Sequence, residues 1–157
     1  MTQTELLLIN FEETRRRSLI LWNALPEDKY LWKPDAEAMH ALEMVRHVLG
    51  TDEWFWHIIV NNGDISNFDN DKWDEGRPYV SVKDELEFSM PYREKFLNLI
   101  MNHSADDLEN IMVTYGNREP RKLGDFLLRA AYHEGVHAGN FISYLRAMGV
   151  NRPWIWD

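Results

Sequence analysis

The sequence predicts an all-α fold, a four-helix bundle, and three observations carry that prediction. Four segments repeat apolar residues at spacings of three and four, the period of a helix with one buried stripe. No segment alternates apolar and polar residues well enough to compete as a strand, and only the stretch from Ile111 to Tyr115 could be extended for a few residues. The 157 residues, 45% hydrophobic and 27% charged, suffice for one core, so a single domain over 1–157 is expected. A content of 7 Trp, 7 Phe and 6 Tyr is far too aromatic for a disordered chain.

The first helix runs from about Thr4 to Leu25, with Leu7, Phe11, Thr14, Ser18, Leu21 and Leu25 on one stripe before Pro26 stops it. Arg15, Arg16 and Arg17 form the only dense cationic run and read as a solvated face of that helix. The second runs from about Ala41 to Asn61, its stripe Met44, Val48, Thr51, Phe55 and Ile58 or Ile59, and Asn61-Asn62-Gly63-Asp64 supplies turn chemistry at its end. The third runs from about Val82 to Asn102, with Ser81 as N-cap, Asp84 and Glu85 in the first turn, and Leu86, Met90, Leu97, Ile100 and Met101 expected inside. Pro91 removes one backbone hydrogen bond there and is expected to kink the helix. The fourth runs from about Lys122 to Met148, its apolar face including Leu123, Phe126, Leu127, Ala130, Phe141, Tyr144, Leu145 and Met148, with Gly149 in place to end it. The connections Pro26–His40, Asn62–Ser81 and His103–Arg121 are long, which permits a crossover topology and suggests functional loops.

Charge and composition bound the function. With 17 Lys plus Arg against 26 Asp plus Glu, the formal net charge is -9, and phosphate backbones repel such a surface, so no nucleic-acid partner is expected. Cys is absent, which excludes disulfides, thiolate ligands and a cysteine nucleophile; any thiol chemistry needs a thiol from outside. No apolar stretch approaches the roughly 20 residues needed to span a bilayer, so no membrane partner is expected. The first residues place acids early and the basic run late, unlike a secretory signal, and a cytoplasmic location is the expectation.

The chemical signal is His133-Glu134-Gly135-Val136-His137. Residues four apart on a helix share a face, so both imidazoles can converge on one ion. At about 100° per residue they fall amid Phe126, Ala130, Tyr144 and Met148, pointing into the bundle, where polar rings need partners. A third ligand should come from a neighbouring helix. His47, at the edge of the second stripe, is the best placed; His57 points away by phase, His40 sits at a helix start, and His103 lies at a helix end and is expected exposed. Three neutral imidazoles would suit a divalent zinc, nickel or iron ion and leave open positions, as catalytic sites do. The alternative is that the buried histidines only hydrogen-bond to one another, to a carboxylate or to water.

The same residues match H-E-x-x-H, the zinc-peptidase helix in which Glu activates water. Only 20 residues follow His137, without His or Glu, so the usual downstream ligand is missing and peptidase chemistry is not expected. Glu134 is then either a hydrogen-bond partner of an imidazole or of a metal-bound water, or an ion-paired or solvated carboxylate.

The order Trp32-Lys33-Pro34, Val45-Arg46-His47-Val48, Glu53-Trp54, His133-Glu134-x-x-His137-x-Gly139-Asn140 and Leu145-Arg146-x-x-Gly149-Val150 resembles the DinB/YfiT-like superfamily of metal-binding four-helix bundles over nearly the whole chain. The resemblance implies His47, His133 and His137 as ligands, an up-down-down-up topology with a long crossover between helices two and three, and often a homodimer. Many relatives carry His-Arg-Gly-Gln where this chain has His137-Ala138-Gly139-Asn140, so a fixed cation for an anionic substrate is lost, and Asn140 keeps an amide on a shorter stem. The implied activity is a metal-dependent transferase acting on a small-molecule substrate with a low-molecular-weight thiol, or a related hydrolase; the alternative is a non-catalytic, stress-linked metal-containing protein. Trp154-Ile155-Trp156 is expected to fold back over the bundle end or to join a subunit contact.

Overall fold

The computed structural model describes residues 1–74 and 76–156, and they form a helical bundle. Helix α1 spans Gln3–Asn23, α2 Ala41–Val60, α3 Val82–Met101, the short α4 Ala105–Asn110 and α5 Leu123–Ala147. A 3₁₀ turn at Glu27–Lys29 lies in the first connection. The strands β1 Met112–Val113 and β2 Arg121–Lys122 pair antiparallel ahead of α5, so the Ile111–Tyr115 stretch is in part extended.

Local chemistry starts each long helix but the last. Thr2 and Glu5 form a capping box on α1. His40 caps α2: its Nδ1 accepts from the Glu43 N–H at 3.0 Å while Glu43 accepts from the His40 N–H at 3.1 Å. Ser81 caps α3 as expected. Gly149, at φ 73°, takes the left-handed conformation that ends α5 and lets the Val150 N–H reach the Leu145 carbonyl.

Side-chain contacts fix the directions of the helices. Arg46 meets Glu85, Asp52 meets Arg93 and Lys95 lies over Trp56, so α2 and α3 run parallel. Thr4 bonds the His103 carbonyl and Phe11 stacks edge-on against Phe96, so α1 runs antiparallel to α3. Phe126 meets Phe55 and His137 meets His47, so α5 is antiparallel to α2. The result is up-down-down-up, and the parallel pair α2/α3 requires the long crossover, residues 61–81. Two apolar clusters fill the interior, one around Leu42, Val45, Leu49, Phe141 and Leu145, the other around Phe11, Phe96, Ile100, Leu123 and Leu127.

Three expectations are corrected. Met90 and Met101 are not inside: both are 53% exposed, and the buried side of α3 is Val82, Glu85, Ser89, Phe96 and Ile100. Ile100 is buried and Leu86 and Leu97 pack against the two clusters as expected, but a stripe chosen by apolarity alone took in two outer Met and left out two inward positions that carry Glu and Ser. Arg15 is not on a solvated face; it is buried among carboxylates, whereas Arg16 and Arg17 lie nearer the surface. His103 is half-buried, with Nδ1 2.6 Å from the Leu99 carbonyl oxygen. Helix α3 runs continuously past Pro91, which faces outward. The C-terminal segment does fold back, but through Ile155, which is 5% exposed in the first cluster; Trp154 and Trp156 are exposed.

Candidate metal centre

Helix α2 carries His47 and the antiparallel α5 carries His133 and His137, and the structure brings the three rings together. Nε2 of His133 lies 3.1 Å from Nε2 of His47 and 3.1 Å from Nε2 of His137. Donors about 2.0–2.1 Å from a shared ion stand about 3.3 Å apart at a tetrahedral angle and about 2.9 Å apart at a right angle. Both spacings from His133 fall between these limits, and the three ligand atoms all lie within 4.8 Å of one another, so the donor set can converge on one first-row divalent ion.

Neighbouring groups set the tautomer and charge of the rings. The Thr51 hydroxyl lies 3.1 Å from the His47 carbonyl and 3.3 Å from Nδ1 of His133. Its one proton goes to the carbonyl, so its oxygen accepts from His133 Nδ1–H and leaves the Nε2 lone pair to face the other rings. Burial, then the neighbouring imidazoles, pushes His133 and His137 down to about 4. Helical phase expects these rings inside the bundle, but His133 and His137 are only half-buried and His47 is exposed on the cleft side; desolvation by its surroundings still lowers His47, against the pull of Glu43 and Asp74. All three are therefore neutral at pH 7, the form that ligates metals. Nδ1 of His137 is buried without a hydrogen-bond partner, so nothing in the protein competes to turn this ring away.

Glu134, between His133 and His137, faces elsewhere. Its carboxylate takes two hydrogen bonds from Arg15, at 2.8 and 3.2 Å, and is 4% exposed. Of the two roles open to it, the ion-paired one is observed, and the water-activating Glu of an H-E-x-x-H peptidase is not reproduced. Arg15 also bonds Asp52 at 3.0 Å, and Asp52 bonds Arg93 at 3.0 Å, so each of the four long helices contributes one charge to a buried network. Burial would discharge Arg15, but Asp52 and Glu134 outweigh it and hold the guanidinium charged.

A cleft opens beside the rings. A cavity of about 270 Å³ is lined by His47, His133, Trp54, Phe55, Phe68 and Trp73, among others. A second cavity of about 560 Å³ shares His47, Trp73 and Asp74 with it. The crossover forms the outer wall and is held at two points. Arg46, fully buried, donates to Glu85 and to the carbonyls of Asp74, Arg77 and Pro78. Glu53 accepts from Lys72 at 2.9 Å and from the Trp73 indole at 2.6 Å. Trp73 then lies flat over Gly50, where a Cβ would come within 2.9 Å of the ring.

Thr51, Arg46, Glu53 and Trp73 received no functional role from the sequence. Arg46 had a signal: a lone charge inside Met44-Val45-Arg46-His47-Val48-Leu49 must either break the apolar run or be paired in it. Trp73 had none, since its place depends on the path of the crossover. His40, His57 and His103 lie outside the cluster; His40 is a cap and His57 packs edge-on against Phe68.

Comparison with known proteins agrees with this fold. YjoA of Bacillus subtilis (strain 168), an uncharacterised protein, is 27% identical over 95% of this chain and 93% of its own length. The crystal structure of a DinB-like protein from Bacillus subtilis superposes with a TM-score of 0.72 at 21% identity, covering 96% of this chain and 97% of that one. An uncharacterised protein from Escherichia coli UTI89 superposes with a TM-score of 0.69 at 14% identity, covering 96% of both chains. The model of the DinB superfamily matches residues 10–140, and the chain therefore belongs to the DinB superfamily.

Proposed function

We propose that this chain is a metal-dependent enzyme in which His47, His133 and His137 hold one divalent zinc, nickel or iron ion and the adjoining cleft holds a small organic substrate. The observation that carries this reading is the meeting of three neutral imidazoles, with Nε2 of His133 3.1 Å from Nε2 of both His47 and His137, on the wall of an open, aromatic-lined cavity. An ion held there supplies a Lewis acid that lowers the pKa of a thiol or water molecule beside it. Thr51 fixes the tautomer of His133, Arg46 and Glu53 hold the cleft wall, and Trp54, Phe68 and Trp73 shield a flat substrate from water.

Thiol transfer is preferred over hydrolysis because Glu134, the carboxylate nearest in sequence to serve as a base, is committed to Arg15. The chain has no Cys, so the thiol is a co-substrate. With a chloro-aromatic electrophile, a carbon–sulfur bond replaces carbon–chlorine, and chloride and the thiol proton leave to solvent.

Metal analysis of protein purified without chelators, beside His133→Ala, tests the site; one ion per chain in the parent and little in the variant is expected. Turnover of a small thiol with 1-chloro-2,4-dinitrobenzene, present with metal and abolished by chelator, tests the reaction. Tight metal binding without turnover of this pair or of an ester panel would overturn the enzymatic reading and leave a metal-containing binding protein.

A further inference from the structure

The two cavities beside the imidazoles differ from an ordinary aromatic pocket in their charge. Their walls include Glu43, Asp71 and Asp74 and neither Lys nor Arg. The cations nearest along the fold are already neutralised. Arg46 is paired with Glu85 behind Tyr79, Arg77 with Asp84 and Glu85, and Lys72 with Glu53. Asp71 and Asp74 are exposed, and no side-chain ion pair of theirs occurs among the described residues. Trp73 stands between the two cavities and belongs to both walls, and Trp54 and Phe68 meet edge-to-face at 4.7 Å in the smaller one. Ring faces attract cations and flat apolar groups alike, carboxylates attract cations and repel anions, and the three carboxylates here exceed by one the two positive charges that a divalent ion on the neutral imidazoles would add.

We propose that this cleft selects a flat organic cation, its ring held by Trp54, Phe68 and Trp73 and its positive group directed past Trp73 toward the exposed carboxylates of Asp74 and, in the adjoining cavity, Asp71, and rejects carboxylate or sulfonate substrates of the same size. This rests on the cleft being the substrate site of the reading above. It narrows that reading: both the acceptor and any thiol brought beside the imidazoles are neutral or cationic.

The test uses the full chain and three probes of one shape: benzyltrimethylammonium, benzyl alcohol and benzenesulfonate. The two charged probes are poor metal ligands, so binding reports the cleft rather than the ion. Tryptophan fluorescence titrations are run on zinc-saturated and on chelator-treated protein, and on Asp71→Asn/Asp74→Asn checked for unchanged circular dichroism and zinc content. The expected result is benzyltrimethylammonium bound about tenfold or more tighter than benzenesulfonate in the parent, falling to within about threefold in the variant, as removal of two nearby charges predicts. Equal binding of the charged probes in the parent, or a preference that survives the double substitution, would overturn the inference. Zinc stoichiometry is read separately, so a chain that binds no zinc yet keeps the cation preference loses the metal reading alone.

Discussion

At the scale of single residues, the centre depends on protonation as much as on distance. His133 and His137 sit near 4 in the fold and near 6.5 when free, so the unfolded chain binds more protons between those values. The contribution of these two rings to the stability of the metal-free protein is therefore expected to be constant above about pH 6.5, to fall as pH drops from there toward 4, and to change no further below, where any continued loss belongs to carboxylates held low in the fold, such as Asp64 and Asp107. Urea midpoints across pH 3.5–8 check this, and a His133→Ala/His137→Ala chain should lose most of the slope in that window. Thr51→Val keeps the shape of its side chain but removes the acceptor for His133 Nδ1–H. Zinc affinity is expected to fall about 10-fold or more, as for other groups that orient ligating histidines, with little change in stability; an unchanged Kd in a competition titration would place His133 under other control. The three histidines were legible because spacing and helical phase are properties of the sequence. Thr51 was placed on the right stripe but given no role, because its function lies in a bond to the next helix but two.

At the scale of elements, each long helix was legible to within a few residues, since stripes, caps and Pro26 or Gly149 mark their ends locally. The inner face of α3 was legible only in part, at Leu86, Leu97 and Ile100, because that face also carries Glu85 and Ser89, and polar inward positions look like surface until their partners are known. The partner of Glu85 is Arg46, and that pair holds the crossover against α2. The path of the crossover was illegible for the same reason: it is set by the buried Arg46 reaching loop carbonyls and the half-buried Glu53 reaching an indole, not by a local pattern. The close approach of Gly50 to Trp73 makes this contact testable. Gly50→Ala would press a methyl into a ring pinned by Glu53, so a loss of about 1–3 kcal/mol is expected. The cleft should also change: an altered Trp73 emission with zinc binding retained would show the wall displaced while the imidazoles stay in place.

At the scale of the whole molecule, Arg15, Asp52, Arg93 and Glu134 tie α1, α2, α3 and α5 together with balanced charge. Apolar stripes tolerate a helix sliding or rotating by one contact, but this network does not. Glu134 must face α1 to meet Arg15, and with that rotation of α5 its neighbours His133 and His137 face α2. The network therefore ties the register of the bundle to the assembly of the imidazoles. Its energetics separate this role from simple stabilisation. Arg15→Met leaves Glu134 buried without its partner, and a loss of about 3–5 kcal/mol is expected; Glu134→Met strands Arg15 against Asp52 alone and should cost a similar amount. Replacing both by Met removes the buried pair as a unit while Asp52 and Arg93 remain together, so the double variant is expected to be more stable than either single one. Urea unfolding of the four chains gives the cycle. If register is the function of the pair, the double variant will fold yet bind zinc more weakly than the parent, because nothing then fixes the rotation of α5. Parent-like zinc affinity in a well-folded double variant would show that the apolar stripes alone bring His133 and His137 to His47.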